Sequence, residues 1–187
     1  MHTTPATLLE RLRRSQDDAA WRRLVHLYTP LLYTWALRAG ENADDAADLV
    51  QDVFVVLVQT LPRFEYDANG RFRNWLRTIT LNKLRDRKRR AMLAGRVPID
   101  QCPEPVLPDD AERFWETEYQ GELTRRALEL MRSDFAPATW KACWELTARG
   151  RSAKHVAREL GMTENAVYLA KCRVLRRLRD ELTGLVE

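Results

Sequence analysis

The sequence predicts an all-α chain of two small helical domains joined by an acidic, Pro-rich linker. Three observations lead there. Glycine is scarce, 7 in 187 residues, and no stretch alternates apolar and polar residues as a half-buried strand would. Apolar residues recur at helical spacing from about residue 7 to 90 and again from about 118 to 183. Between these blocks stand Pro98, Pro103, Pro105 and Pro108 among Asp100, Glu104, Asp109, Asp110, Glu112 and Glu116. That composition is too Pro-rich for a long helix and too acidic to lie passively on DNA. Hydrophobic residues make up 45% of the chain, enough to fill both cores.

In the first block, Asp44 to Leu61 reads as a helix with two faces. Ala46, Leu49, Val50, Val53, Phe54, Leu57 and Leu61 share one side and pack inward; Asp48, Gln51, Asp52, Val55 and Gln59 share the other. The second side is either a solvated face or a contact surface. Acids around an outward valine, in a basic protein, suit a partner with a basic surface better than DNA. A loop follows from Pro62 to Gly70, with turn chemistry at Asn69-Gly70. The next helix, Arg71 to about Arg90, has Phe72, Trp75, Leu76 and Ile79 as its inner stripe, extended by Asn82, and ends in Lys83, Arg85, Arg87, Lys88, Arg89 and Arg90. A positive groove flanked by flat side chains suits single-stranded nucleic acid. Phe72 and Trp75 read as core. Phe64 and Tyr66, in the loop, are either base contacts or loop anchors, and Asn82 either grips a base or bonds locally in its helix.

The second block opens with Leu123, Ala127, Leu130 and Met131 at helical spacing. Pro137 suits the first turn of a helix that stacks Trp140 and Trp144 on one face. Residues 152–167 read as two helices joined by a tight turn. Ala157 lets a second helix approach, Gly161 takes the left-handed conformation that ends the first, Thr163 caps the next, and Val167 faces back onto the first. This is the helix-turn-helix pattern, whose second helix enters the major groove. Its continuation through Lys171, Arg173, Arg176, Arg177 and Arg179 marks the chain as DNA-binding.

Several classes are excluded. The net charge of +4 conceals 31 basic and 27 acidic residues that are strongly segregated. Glu10, Arg11, Arg13 and Arg14 leave no apolar core near the start, so no signal peptide is expected. No run of about 18 apolar residues exists, so neither is membrane insertion, and a cytoplasmic place follows. Cys102, Cys143 and Cys172 are far apart and lack a histidine at metal-ligand spacing; they read as reduced thiols, with no metal. Paired carboxylates, a Gly-rich phosphate loop and a nucleophile motif are all missing, so neither enzymatic activity nor a cofactor is expected.

Asp44-Asp-Ala-Ala-Asp-Leu-Val-Gln-Asp-Val-Phe54, then Phe72-x-x-Trp-Leu-x-x-Ile-x-x-Asn82-x-x-x-Asp86-x-x-Arg89-Arg90, then the terminal helix-turn-helix together resemble the extracytoplasmic-function (ECF) RNA polymerase sigma factors of bacteria. The resemblance implies a sigma-2-like helical bundle over 7–92, a linker over 93–117 and a sigma-4-like helix-turn-helix domain over 118–184. It implies a protein that binds core RNA polymerase and directs promoter recognition and transcription initiation. By position, Asp48, Gln51, Asp52 and Val55 would dock on the β′ clamp helices of the polymerase. Phe64, Tyr66, Asn82, Lys83, Arg87 and Arg90 would hold the −10 element, with one base flipped out. Thr163, Asn165, Tyr168, Lys171, Arg173 and Arg176 would meet the −35 element, and the β flap would contact the second domain. The linker would run through the RNA exit path, and an anti-sigma factor would be the usual regulator. The chain departs from the family pattern in its long loop Glu65 to Arg71 and in Asp52, where the family has glutamate.

Two other classes fit parts of the sequence. A helix-turn-helix regulator acting without core polymerase leaves the acidic stripe unexplained. A sigma-like decoy for an anti-sigma factor leaves the basic residues of both blocks unexplained.

Overall fold

A computed structural model describes residues 7–13, 17–64, 72–93 and 108–186, and every regular element among them is helical. Tyr66, Cys102 and residues 94–107 of the expected linker lie outside the described residues. The chain divides into two compact units, one of residues 8–123 with the chain end from Gly184, the other of residues 124–183.

The first unit contains α1 (Leu8–Arg13), α2 (Asp18–Arg38), α3 (Ala43–Thr60), a 3-10 turn (Leu61–Arg63), α4 (Phe72–Leu93) and α5 (Asp109–Arg113). From α5 the chain passes through a π-helical turn (Phe114–Glu118) into α6 (Tyr119–Met131). Local chemistry sets the helix starts. Asp17 caps α2 by accepting the Ala20 N–H at 2.8 Å, and it also accepts Arg11 Nε at 2.8 Å. Arg11 first, then that amide, holds its carboxyl below the ordinary value. Asn42 caps α3 by accepting the Asp45 N–H at 2.9 Å. Leu24, Leu27, Tyr28 and Trp35 of α2, Leu49, Val53 and Leu57 of α3, and Phe72 and Leu76 of α4 are all buried. Phe54, expected among the inward residues of α3, is half-buried.

The structure departs from the expected division of the chain. Residues 109–117, expected in the linker, are helical, and residues up to 123 belong to the first unit. Ala111, Phe114, Trp115, Tyr119 and Leu123 are buried. Trp35 Nε1 donates to the Ala111 carbonyl at 3.1 Å, and Arg38 donates to Glu118 at 2.8 Å while lying over the Phe114 ring. Arg77 pairs with Glu112. Tyr119 donates its hydroxyl to the Leu185 carbonyl at 3.0 Å, so Tyr28, 2.8 Å away, donates to Tyr119. Burial pushes both phenols well up, which keeps these protons in place. The physical reason for the departure is positional. The four linker prolines precede Asp109 in the sequence, so none falls within α5, and acids in a first helical turn favour the helix through its dipole.

In the second unit, a 3-10 turn (Arg132–Asp134) leads to α7 (Pro137–Thr147), α8 (Ala153–Leu160) and α9 (Glu164–Leu182). Pro137 stands in the first turn of α7, as expected, and Trp140 and Trp144 stack with centroids 6.4 Å apart. The core is a cluster of small residues, Ala142, Ala153, Val156, Ala157, Val167 and Ala170, flanked by Leu146, Leu160 and Met162. Small side chains let three helices meet closely enough to hold a fixed angle.

Candidate functional site

The helix-turn-helix is built by local chemistry. Ser152 accepts the His155 N–H to open α8. Gly161 closes it with φ +63°, and the Met162 N–H returns to the Ala157 carbonyl at 2.9 Å. Thr163 then accepts the Ala166 N–H at 3.1 Å and opens α9. Val167 and Ala170 face the core, so the opposite side of α9 is left outward. Thr163, Asn165, Tyr168, Arg173 and Arg176 are exposed and Lys171 is half-buried. Tyr168, at 52% exposure, is a large aromatic with no place in the core.

Charge fastens α7 to α8. Glu145 is buried and accepts Arg149 and Arg151, each at 3.0 Å. Arg151 also reaches Glu159 at 2.6 Å, and Lys141 pairs with Glu159 at 2.9 Å. Hydrogen bonds from Lys141, then Arg151, bring the Glu159 carboxyl down to about 2. Apart from Glu145–Arg149, four residues apart, these pairs join different elements or turns, so periodicity does not mark them.

In the first unit, α3 presents the outward stripe. Asp48 and Gln51 are exposed, Asp52 is partly exposed, and Val55 is 56% exposed. Val58, equally exposed at 56%, extends the apolar strip one turn beyond Val55. The signal was the i+3 step from Val55. Arg87 of α4 lies against the same stripe. Its Nη2 is 2.6 Å from Asp45 and 3.9 Å from Asp48, its Nη1 3.8 Å from Asp52 and its Nε 3.9 Å from Glu41. Burial raises the Glu41 carboxyl, with Lys88 opposing that shift. The sequence groups Arg87 with the −10 contacts; in the structure its side chain lies among carboxylates of α3 and the turn before it.

Of the remaining −10 candidates, Asn82, Lys83 and Arg90 lie on α4 and Phe64 stands in the segment before it. Phe64 is half-buried, its ring 4.5 Å from Trp75 and 6.0 Å from Phe72 by centroids. Asn82 and Arg90 are exposed and Lys83 is half-buried. Asn82 lies seven positions beyond Trp75, ~10 Å along the helix axis. Phe64, beside Trp75, therefore stands about two turns along α4 from Asn82, with Tyr66 outside the described residues. Among those described, no group of acidic, histidine or cysteine side chains is arranged to hold a metal, and no helix is long and apolar enough to cross a membrane.

Residues 24–93 match the family model described as Sigma-70 region 2. The chain is 30% identical over 176 residues to the ECF RNA polymerase sigma factor SigD of Mycobacterium bovis, covering 90% of this chain and 79% of the relative. The chain belongs to the ECF RNA polymerase sigma factor family. It is also 30% identical over 183 residues to the RNA polymerase sigma factor NccH of Alcaligenes xylosoxydans, covering 96% of this chain and 93% of that protein. To the ECF RNA polymerase sigma factor SigE of Mycolicibacterium smegmatis it is 28% identical over 174 residues, covering 89% of the chain and 64% of that relative's length. The region 2 match takes in α3 and α4, so the acidic stripe and the basic helix both lie within the matched part of this sigma factor.

Proposed function

We infer that this ECF sigma factor binds core RNA polymerase in the cytoplasm and directs it to promoters for transcription initiation. Asp48, Gln51, Asp52 and Val55 form the surface offered to the β′ clamp helices, with Val58 continuing it. Thr163, Asn165, Tyr168, Arg173 and Arg176 meet the duplex −35 element, Lys171 adding charge from a half-buried position. Phe64, Tyr66, Asn82, Lys83 and Arg90 serve the −10 element. The β flap contacts the second unit, and an anti-sigma factor that covers these surfaces is the fitting regulator. The protein works by binding and catalyses no covalent step. Holding one unpaired base against an aromatic ring is worth about 1–3 kcal/mol, comparable to the cost of unstacking it.

The observation that carries the reading is the exposed outer face of α9 in a chain of the sigma-factor family. A capped, tightly turned helix-turn-helix leaves five of the six −35 candidates open to a groove. In vitro transcription with core polymerase and a genomic promoter library tests it. Transcripts that depend on the added chain and share a −35 and a −10 sequence are expected. Sequence-specific DNA binding without any polymerase-dependent transcript would instead mark a regulator that acts alone.

A further inference from the structure

We propose that Arg87 is a positioning residue for the polymerase-binding stripe and does not contact DNA. The inference rests on the proposed function of that stripe. Its basis is where the guanidinium lies. Four carboxylates, Glu41, Asp45, Asp48 and Asp52, stand within 4.0 Å of Arg87, the nearest at 2.6 Å. Left to themselves, four like charges on neighbouring turns repel and splay. Arg87 is the cation that the four share, and its planar fork reaches carboxylates on both sides, which a point charge cannot.

Depth decides between two roles. A guanidinium lying over the stripe would shield it from a basic partner. One lying beneath would set the carboxylates and leave their outer oxygens open. The Arg87 side chain is 18% exposed, whereas Asp48 is 65% and Asp45 47% exposed. Arg87 thus lies beneath the three aspartates, beside Glu41, which at 11% exposure is deeper still. Its Nε is buried without a hydrogen bond, 3.9 Å from Glu41, so the group is held by shared charge and not by a saturated bonding pattern. Lys88, the next residue, acts on Glu41 as well.

The two roles, and the DNA role suggested by the basic run, give opposite results for the same substitution. Arg87→Gln makes the stripe more negative. Long-range electrostatics alone would then speed association with a basic partner and tighten binding. Loss of positioning raises the dissociation rate instead. The experiment uses the full chain, carrying Arg87→Gln, Arg87→Lys or Asp48→Arg, on immobilised core RNA polymerase. It reads association and dissociation rates separately, and then the affinity of each assembled holoenzyme for a promoter fork already open across the −10 element.

Expected for Arg87→Gln is an association rate equal to or above the parent's, a dissociation rate raised about tenfold, and unchanged affinity for the open fork. Arg87→Lys keeps the charge and folds with less disturbance; its dissociation rate should rise about threefold, because a point charge cannot serve both sides of the cluster. The dissociation rate of bound protein is independent of the fraction folded, so general destabilisation does not imitate this result. Parent-like or slower dissociation of Arg87→Gln overturns the proposal, and so does full rescue by lysine. Weakened binding to the open fork with normal core dissociation returns Arg87 to the DNA side. Asp48→Arg separates the two levels: if it too leaves core binding at the parent level, the reading of the stripe fails, and the proposal with it. Loss with Asp48→Arg and none with Arg87→Gln refutes the positioning role alone.

Discussion

Replacing Trp35 with phenylalanine tests whether residues 109–123 are part of the first unit's core. Trp35 is fully buried, donates its Nε1–H to the Ala111 carbonyl at 3.1 Å, and has its ring 6.1 Å from that of Trp115. Phenylalanine keeps an aromatic ring against Trp115 and deletes the donor. The lost hydrogen bond costs a net ~1 kcal/mol. The smaller ring leaves roughly 40 Å³ unfilled, worth about 1 kcal/mol at ~24 cal/mol per Å³. A local loss of ~2 kcal/mol raises the opening equilibrium of the segment roughly thirtyfold. Hydrogen exchange followed by mass spectrometry on the intact chain reads this directly. Peptides from 109–123 and from α2 should exchange faster by about that factor, while peptides from α8 and α9 keep the parent's rates. The reasoning fails if 109–123 already exchanges in the parent like an unstructured linker. It fails equally if those rates do not change in the variant.

Four further outcomes are expected. The Glu159 carboxyl lies below its ordinary value of 4.5, at about 2, so its contribution to stability is complete above 4.5 and is lost as pH falls towards 2. The melting temperature of Glu159→Gln should therefore trail the parent at pH 7 and converge with it near pH 2; a gap that persists unchanged in acid contradicts the assignment. Gly161→Ala meets no atom within 4 Å, so only its positive φ opposes it, and the second unit should lose about 1 kcal/mol; an unchanged or raised melting temperature would show that the turn tolerates a Cβ. Arg173→Ala should relax the −35 preference recovered by selection from random duplexes, whereas Arg176→Ala should weaken all sequences alike and flatten the salt dependence by about one unit of slope; the same recovered motif for Arg173→Ala rejects its role in base reading. Asn82→Ala is exposed and should change stability by less than about 0.5 kcal/mol, yet slow promoter opening, with rescue on a template mismatched across the −10 element; normal 2-aminopurine fluorescence and normal transcription would remove Asn82 from the −10 site.

What the sequence made legible and what it hid differ by the distance to the partner. The helix-turn-helix was readable because its determinants act within a turn or two: Ser152 on the His155 amide, Ala157 on Met162, Thr163 on Ala166. The two faces of α3 were readable for the same reason, since periodicity is a local property. The helical segment from Asp109 was not. Its composition argues for a linker, although Ala111, Phe114, Trp115 and Tyr119 are spaced as one helical face. That set has meaning once Trp35, 76 positions earlier, and Tyr28, 91 positions before its partner, supply the other wall. Charge shows the same limit more sharply. Lys83 to Arg90 reads as one basic tail, and composition gives no reason to separate its members. Arg87 and Arg89 are two residues and about 200° apart around the helix. Arg89 is 71% exposed beside its neighbour Asp86, while Arg87 is 18% exposed and committed to carboxylates some forty positions earlier. A run of like charges on a helix is thus divided by the fold into cations that solvent or DNA can reach and cations already consumed by the protein itself. Which is which depends on the helix packed alongside, and a count of lysines and arginines cannot recover it.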